Sequence, residues 1–150
     1  MLKRHWLLPA VLALSSLPAL AEAPLPMPEP ALAIPVQDAR LTWGPCPDFI
    51  PKGCEIAVLH GNPAQPNADI FFRLPANFTV PRHSHTSAER MVLVAGELHV
   101  TYDGQATMVL QPGMYAYGPA GLPHKAFCAK GASCVLFIAF EAAVDAVPKP

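Results

Sequence analysis

His83 and His85 stand two residues apart, Glu89 follows four residues later, and His124 arrives after Gly113, Pro119 and Gly121. Written as spacing, this is H-x-H-x3-E-x6-G ending at Gly96, then G-x5-P-x-G-x2-H ending at His124. In a β-strand residues i and i+2 point the same way, so His83 and His85 present two imidazoles to one face, and Glu89 keeps their odd-numbered parity. Three ring nitrogens and one carboxylate suit one divalent transition metal (iron, manganese, zinc, nickel or copper), and the donor set does not select among them. An H-x-H alone is an ordinary accident of a solvated strand. The glutamate and the second block, each followed or preceded by turn glycines at fixed distance, weigh against accident. Imidazoles bind metal only when deprotonated, so occupancy is expected to fall as pH drops toward and below about 6, near the free histidine value.

At these residues the sequence resembles the cupin superfamily, whose first motif carries two histidines and a glutamate and whose second carries a histidine. Both motifs are met between His83 and His124. Two positions depart from the pattern: Asn77 stands where the first motif often opens with glycine, and Cys128 where the second often closes with asparagine. Neither is a ligand position in the family. The resemblance implies a double-stranded β-helix, or jelly-roll barrel, with His83, His85, Glu89 and His124 as ligands of one metal inside the barrel mouth. It also implies a small-molecule substrate or ligand, and it allows a homodimer. The leading expectation is an enzyme acting on a small oxygen-rich or carboxylated organic molecule. It would work as a dioxygenase, or as an isomerase, lyase or decarboxylase using the metal as Lewis acid. The alternative is a non-catalytic metal- or small-ligand-binding or sensor module. Metal-free sugar epimerases of similar build use a histidine–carboxylate pair and do not need all four residues.

The elements that must hold these residues are short and all-β. From Leu41 onward, strand-like runs alternate with turn signals and no helical period is sustained. The expected strands are Glu55 to His60, Ile70 to Leu74, Arg82 to Ser84, Arg90 to Val94, Leu98 to Tyr102, Thr107 to Leu110, Met114 to Tyr117, His124 to Cys128 and Cys134 to Phe140. Asp103-Gly104 is a strong hairpin signal, because both residues tolerate positive φ. Met91 to Val94 and Val135 to Phe140 are apolar on both parities, as strands are when one face lines a barrel and the other is covered by an arm or a second subunit. Tyr115 and Tyr117 share one face, so both enter the cavity as acid, base or hydrogen-bond donors, or both pack elsewhere. Arg73 could clamp a carboxylate if it points inward, an ion-paired surface arginine being the competing reading. His60, His99, Arg90 and Glu97 read as surface or supporting residues.

The start of the chain reads as an address. Lys3 and Arg4, the apolar run from Trp6 to Leu17 and the small-x-small Ala19-Leu20-Ala21 make residues 1–21 a secretory signal peptide, too short and too interrupted to be a membrane anchor. Residues 22–40, with Pro24, Pro26, Pro28, Pro30 and Pro35, read as an extended proline-rich arm, 41–145 as the barrel domain and 146–150 as a tail, with Val144 to Pro150 frayed. Without Lys3 and Arg4 the ten basic residues become eight against eleven acidic ones, a net charge of −3, with the positives scattered singly. Nucleic acid is therefore not expected as a partner, nor a membrane after cleavage. The four cysteines all lie beyond residue 21, in the part expected to reach the periplasm or the medium. Of three possible connectivities the local pairs Cys46–Cys54 and Cys128–Cys134 are expected, because each closes a loop of turn residues between strand-like segments, and no C-x2-C spacing points to zinc instead.

Overall fold

The computed structural model describes residues 29–150, so the expected signal peptide and the first part of the arm lie outside the described residues. Within them the chain forms eleven strands and no helix. These are β1 (Trp43–Pro45), β2 (Glu55–His60), β3 (Ala68–Leu74), β4 (Phe78–Ser84), β5 (Glu89–Ala95), β6 (Leu98–Tyr102), β7 (Met108–Leu110), β8 (Tyr115–Gly118), β9 (His124–Cys128), β10 (Cys134–Phe140) and β11 (Val147–Pro148). They build a six-stranded sheet, β1-β2-β3-β10-β5-β8, and a five-stranded sheet, β11-β4-β9-β6-β7, with every pairing antiparallel. From β4 to β10 the chain passes repeatedly between the sheets, which is the jelly-roll winding. The two inner faces meet around Ile70, Leu74, Leu93, Leu98, Val100 and Leu136, each at most 2% exposed.

Alternation explains most of this packing. In β6, Leu98, Val100 and Tyr102 are buried while His99 and Thr101 are not, and in β8 Ala116 and Gly118 are buried between exposed Tyr115 and Tyr117. The doubly apolar strands behave as expected from their pattern. Inward residues such as Phe72, Leu136 and Ile138 line the interior, while Trp43, Ala57, Phe71, Phe137, Val92 and Tyr115 form one register row on the outer face of the larger sheet.

Three features depart from simple strand logic. In β4, Val80 pairs with Ala126 but His83 pairs with His124, so three steps on one strand oppose two on the other. This is a β-bulge at Pro81-Arg82, a place where proline's missing N–H costs no ladder bond. It turns both Val80 and His83 inward. Secondly, the final segment is not frayed: β11 pairs with β4, Val144 N–H donates to the Pro63 carbonyl at 2.8 Å and Lys149 N–H to the Arg82 carbonyl at 3.0 Å. Two residues of strand carry no readable period, and it is the partner strand that orders them. Thirdly, residues 36–40 fold into two tight turns rather than continuing an extended arm, with Arg40 pinned to the Asp38 carboxylate at 2.7 Å.

Both departures from the family pattern have structural roles. Asn77 adopts φ +58°, the left-handed region that glycine favours and asparagine tolerates. Cys128 is disulfide-bonded to Cys134, and Cys46 to Cys54, the two expected pairs. Gly96 keeps the motif glycine for steric reasons: its φ is +83°, and a Cβ there would sit 2.7 Å from the Ser133 carbonyl oxygen.

Candidate metal centre

One end of the barrel gathers the chemistry-bearing residues in two facing rows. On the smaller sheet the bulge sets His83 opposite His124, and His124 opposite Tyr102, across β4, β9 and β6. On the larger sheet Phe140, Glu89 and Gly118 stand in register across β10, β5 and β8. His85 follows the end of β4, and its carbonyl accepts the Gly121 N–H at 2.8 Å, which docks the glycine turn of the second block onto the first. All four residues of the sequence pattern are therefore together and buried, at 4–9% exposure. Glu89 does not reach the site by sharing a strand face with the histidines, as its parity suggested. The strand ends at Ser84, and Glu89 opens β5 on the opposite sheet, so the carboxylate meets the imidazoles across the barrel.

Each imidazole is tied on its Nδ1 side to a backbone carbonyl: His83 to Pro81 at 2.7 Å, His124 to Leu122 at 3.3 Å, and His85 to Asp145 in a short contact. A carbonyl only accepts, so Nδ1 carries the proton in each neutral ring and Nε2 keeps its lone pair. A ring nitrogen from each of the three histidines lies within 4.8 Å of the others. The Glu89 carboxylate lies between two of them, with Oε2 3.4 Å from His85 Nε2 and Oε1 3.3 Å from His124 Nε2. Two donors bound to one ion at about 2.1 Å each stand roughly 3.0–3.4 Å apart, so these separations suit a shared cation.

Electrostatics point the same way. Burial pushes the His83 imidazole down to about 4, helped by His85 and opposed by the Pro81 carbonyl. Burial pushes His124 down to about 3, helped by His83 and His85. These two rings are thus neutral at pH 6, and the expected proton competition near that pH does not come from them. Burial raises the Glu89 carboxyl, against the influence of His85 and Tyr102. The Tyr102 hydroxyl, within 3.5 Å of Glu89 Oε1, is raised in turn by its own burial and by the carboxylate. Three inward lone pairs and a carboxylate thus converge with one hydroxyl donor near them. Three histidines so arranged could form a metal site.

Beside this cluster lies a cavity of about 110 Å³ between the sheets. The remaining sequence candidates are outside it. Arg73 is bound to Glu55 at 2.6 Å and its guanidinium stacks 3.8 Å over the Trp43 ring, on the outer face. Its odd parity in β3, opposite to inward Ile70 and Phe72, dictates this. Tyr115 and Tyr117 are 58% and 50% exposed and also face outward. His99 pairs with Glu97 at 2.8 Å, Arg90 with Glu141, and His60 is exposed at the end of β2. Sequence reasoning missed Tyr102, Asp145 and Gly118. Tyr102 was legible as the last inward position of the Leu98, Val100, Tyr102 face. Asp145 acts partly through a backbone carbonyl, which leaves no trace in residue type. Gly118 is a matter of space: a Cβ there would stand 2.6 Å from Tyr102 Oη and 2.8 Å from Glu89 Oε1.

Known proteins of this shape share the architecture. Among solved structures, the polyketide cyclase RemF from Streptomyces resistomycificus superposes with a TM-score of 0.63 at 19% identity, over 78% of this chain and 85% of that one. The DMSP lyase DddQ from Ruegeria pomeroyi DSS-3 gives 0.61 at 20% identity over 73% of this chain, which spans only 61% of the lyase. An RmlC-like cupin from Shewanella frigidimarina NCIMB 400 gives 0.51 at 23%, over 60% and 78%. At such identities the likeness is one of fold. No curated protein sequence matches. The cupin domain family model matches residues 70–140, a stretch that takes in β4 to β10 whole and with them both blocks of histidines, and these residues form a cupin domain.

Proposed function

We propose that this cupin is an exported metal-dependent enzyme, in which His83, His85, Glu89 and His124 hold one divalent transition metal and a small organic molecule meets it in the adjoining cavity. The observation that carries the reading is the convergence of three carbonyl-anchored imidazoles and a buried carboxylate on one point. Buried acceptors facing one another are costly unless a cation or donors join them, and among the described residues the Tyr102 hydroxyl is the one side-chain hydroxyl that donates to Glu89. A bound ion would supply Lewis acidity, or electron transfer if redox-active. The chain's own contribution is to fix the rings through the Pro81, Leu122 and Asp145 carbonyls and to steady Glu89 through Tyr102. The apolar walls keep water from the reacting molecule. Export to the periplasm or medium is supported by the leader-like residues 1–21 and by two disulfides, which suit an oxidising compartment.

One observation favours the second reading, a metal- or ligand-binding module without turnover. Apart from the four proposed ligands, Asp145 is the only titratable side chain lining the cavity among the described residues. Metal analysis of protein purified from its exported compartment, then oxygen-uptake and turnover screens, separates the readings. Stoichiometric metal with substrate-dependent turnover supports the enzyme, and stoichiometric metal without turnover supports the module. Each of His83→Ala, His85→Ala, Glu89→Ala and His124→Ala should lower metal content, while His60→Ala and His99→Ala should not. Wild-type protein that binds none of manganese, iron, nickel, copper or zinc stoichiometrically would overturn the proposal.

A further inference from the structure

The cavity beside the four-residue cluster has an unusual wall for a site expected to take an oxygen-rich molecule. The larger sheet lines it with Ile56, Ile70 and Ile138 and the smaller with Val80, Leu98 and Val100. Every remaining lining residue is apolar except His83, His85, Glu89, His124 and Asp145. No lysine, arginine, serine, threonine, asparagine, glutamine, tyrosine or tryptophan faces it among the described residues. Asp145 is turned to other work, its carboxylate accepting the Thr86 N–H at 2.9 Å and its carbonyl holding His85. The arginines that could have supplied a clamp are engaged elsewhere: Arg73 by Glu55, Arg82 by Asp103 and Arg90 by Glu141.

We infer that this cavity takes a small, uncharged ligand with an apolar body and a single donor group directed at the cluster. A carboxylate or polyol would shed its water on entry and find, beyond the cluster itself, walls that can neither donate nor accept a hydrogen bond. In the metal-free form two acidic side chains on the lining, Glu89 and Asp145, would repel an anion further; a bound divalent cation would offset them. An apolar body loses nothing on entry and gains contact with both sheets. The volume of about 110 Å³ is of the order of an engineered apolar cavity of ~150 Å³ that accepts benzene, so a ligand of ring size or smaller is implied. The donor group's role rests on the metal-binding reading above; the apolar body rests on the walls alone.

Benzene, phenol, benzoate and oxalate make a set that separates ring, donor group and charge. Each is titrated into the full exported protein, with zinc bound and after chelation, following the methyl resonances of isoleucine, leucine, valine and methionine. Benzene and phenol should shift methyls of the lining residues in both forms. After chelation, phenol should bind at least tenfold more tightly than benzoate or oxalate; with zinc bound, it should bind more tightly than benzene. Benzoate or oxalate binding as tightly as phenol after chelation, with the same methyls shifted, overturns the inference, as does a set of lining methyls that no probe moves. Phenol no tighter than benzene in the zinc form overturns the donor-group part. Protein that takes up none of manganese, iron, nickel, copper or zinc but still binds benzene at these methyls leaves the apolar inference standing and removes the metal reading.

Discussion

Gly118→Ala tests whether the site depends on close packing rather than on ligand identity alone. The added Cβ would lie 2.6 Å from Tyr102 Oη, 2.7 Å from Glu89 Cγ and 2.8 Å from Glu89 Oε1, all inside normal contact distance. Both neighbours are buried, Tyr102 at 2% and Glu89 at 4% exposure, so relief must displace Tyr102 against its packing or push Glu89 toward the cavity it lines, away from its present geometry. Relief to an ordinary carbon–oxygen contact requires the carboxylate or the phenol to move by roughly 0.5–1 Å, and overpacking of this kind costs about 1–3 kcal/mol. Such a displacement of Glu89 should weaken metal binding by about 10- to 100-fold, as loss of a supporting contact does. The assay is thermal melting with excess zinc and with chelator, together with competitive zinc titration. The variant should melt lower than wild type in both states, with the larger loss in the zinc state, because the same shift perturbs packing and ligand geometry. Wild-type zinc affinity in Gly118→Ala would refute the reasoning, as would equal losses in both states.

Other outcomes follow from the same structure. Replacing Cys128 and Cys134 by alanine should cost about 2–4 kcal/mol, on the order of 10 °C in Tm, yet leave metal stoichiometry intact, because the bond lies at the opposite end of β9 from His124; metal loss in step with the disulfide would contradict this. The chelated protein should be fully stable above about pH 6.5 and should weaken as pH falls toward about 4, since the unfolded chain takes up protons that buried His83 and His124 refuse. Each imidazole contributes on the order of 3 kcal/mol or more, with Glu89, raised by burial, offsetting part of it; a urea midpoint unchanged between pH 7 and 4 rules this out. A chain ending at Ala143 loses the Asp145 carbonyl from His85 and part of the cavity wall, so zinc should bind about 10- to 100-fold more weakly; unchanged affinity in a folded truncation would show that the closing segment has no part in the site.

The elements were readable wherever pattern and punctuation agreed. Glu55–His60, Leu98–Tyr102, His124–Cys128 and Cys134–Phe140 are the strands expected from their β-branched and aromatic content between turn residues. The strands that escaped reading, β1 and β11, are three and two residues long, and strand identity at that length is conferred by the partner. The expected strand Arg82 to Ser84 is the end of a longer β4 that starts at Phe78, the bulge accommodating Pro81 within it. The chemistry-bearing residues announced themselves by type and spacing. What holds them in place was mostly silent, because it consists of backbone carbonyls and of space left by a missing Cβ.

The same distinction explains why strand parity places Arg73 and Tyr102 but not His83. Arg73 lies out of phase with Ile70 and Phe72, so its strand parity alone sends it outward; Tyr102 lies in phase with Leu98 and Val100, so parity alone brings it to His124. No such rule reaches His83 from Val80, because the inserted residue at the bulge shifts the phase by one. Without that insertion His83 would share the outward phase of Thr79, and the cluster would lose the histidine that stands opposite His124. The bulge is therefore as much a determinant of the site as the histidine it turns inward.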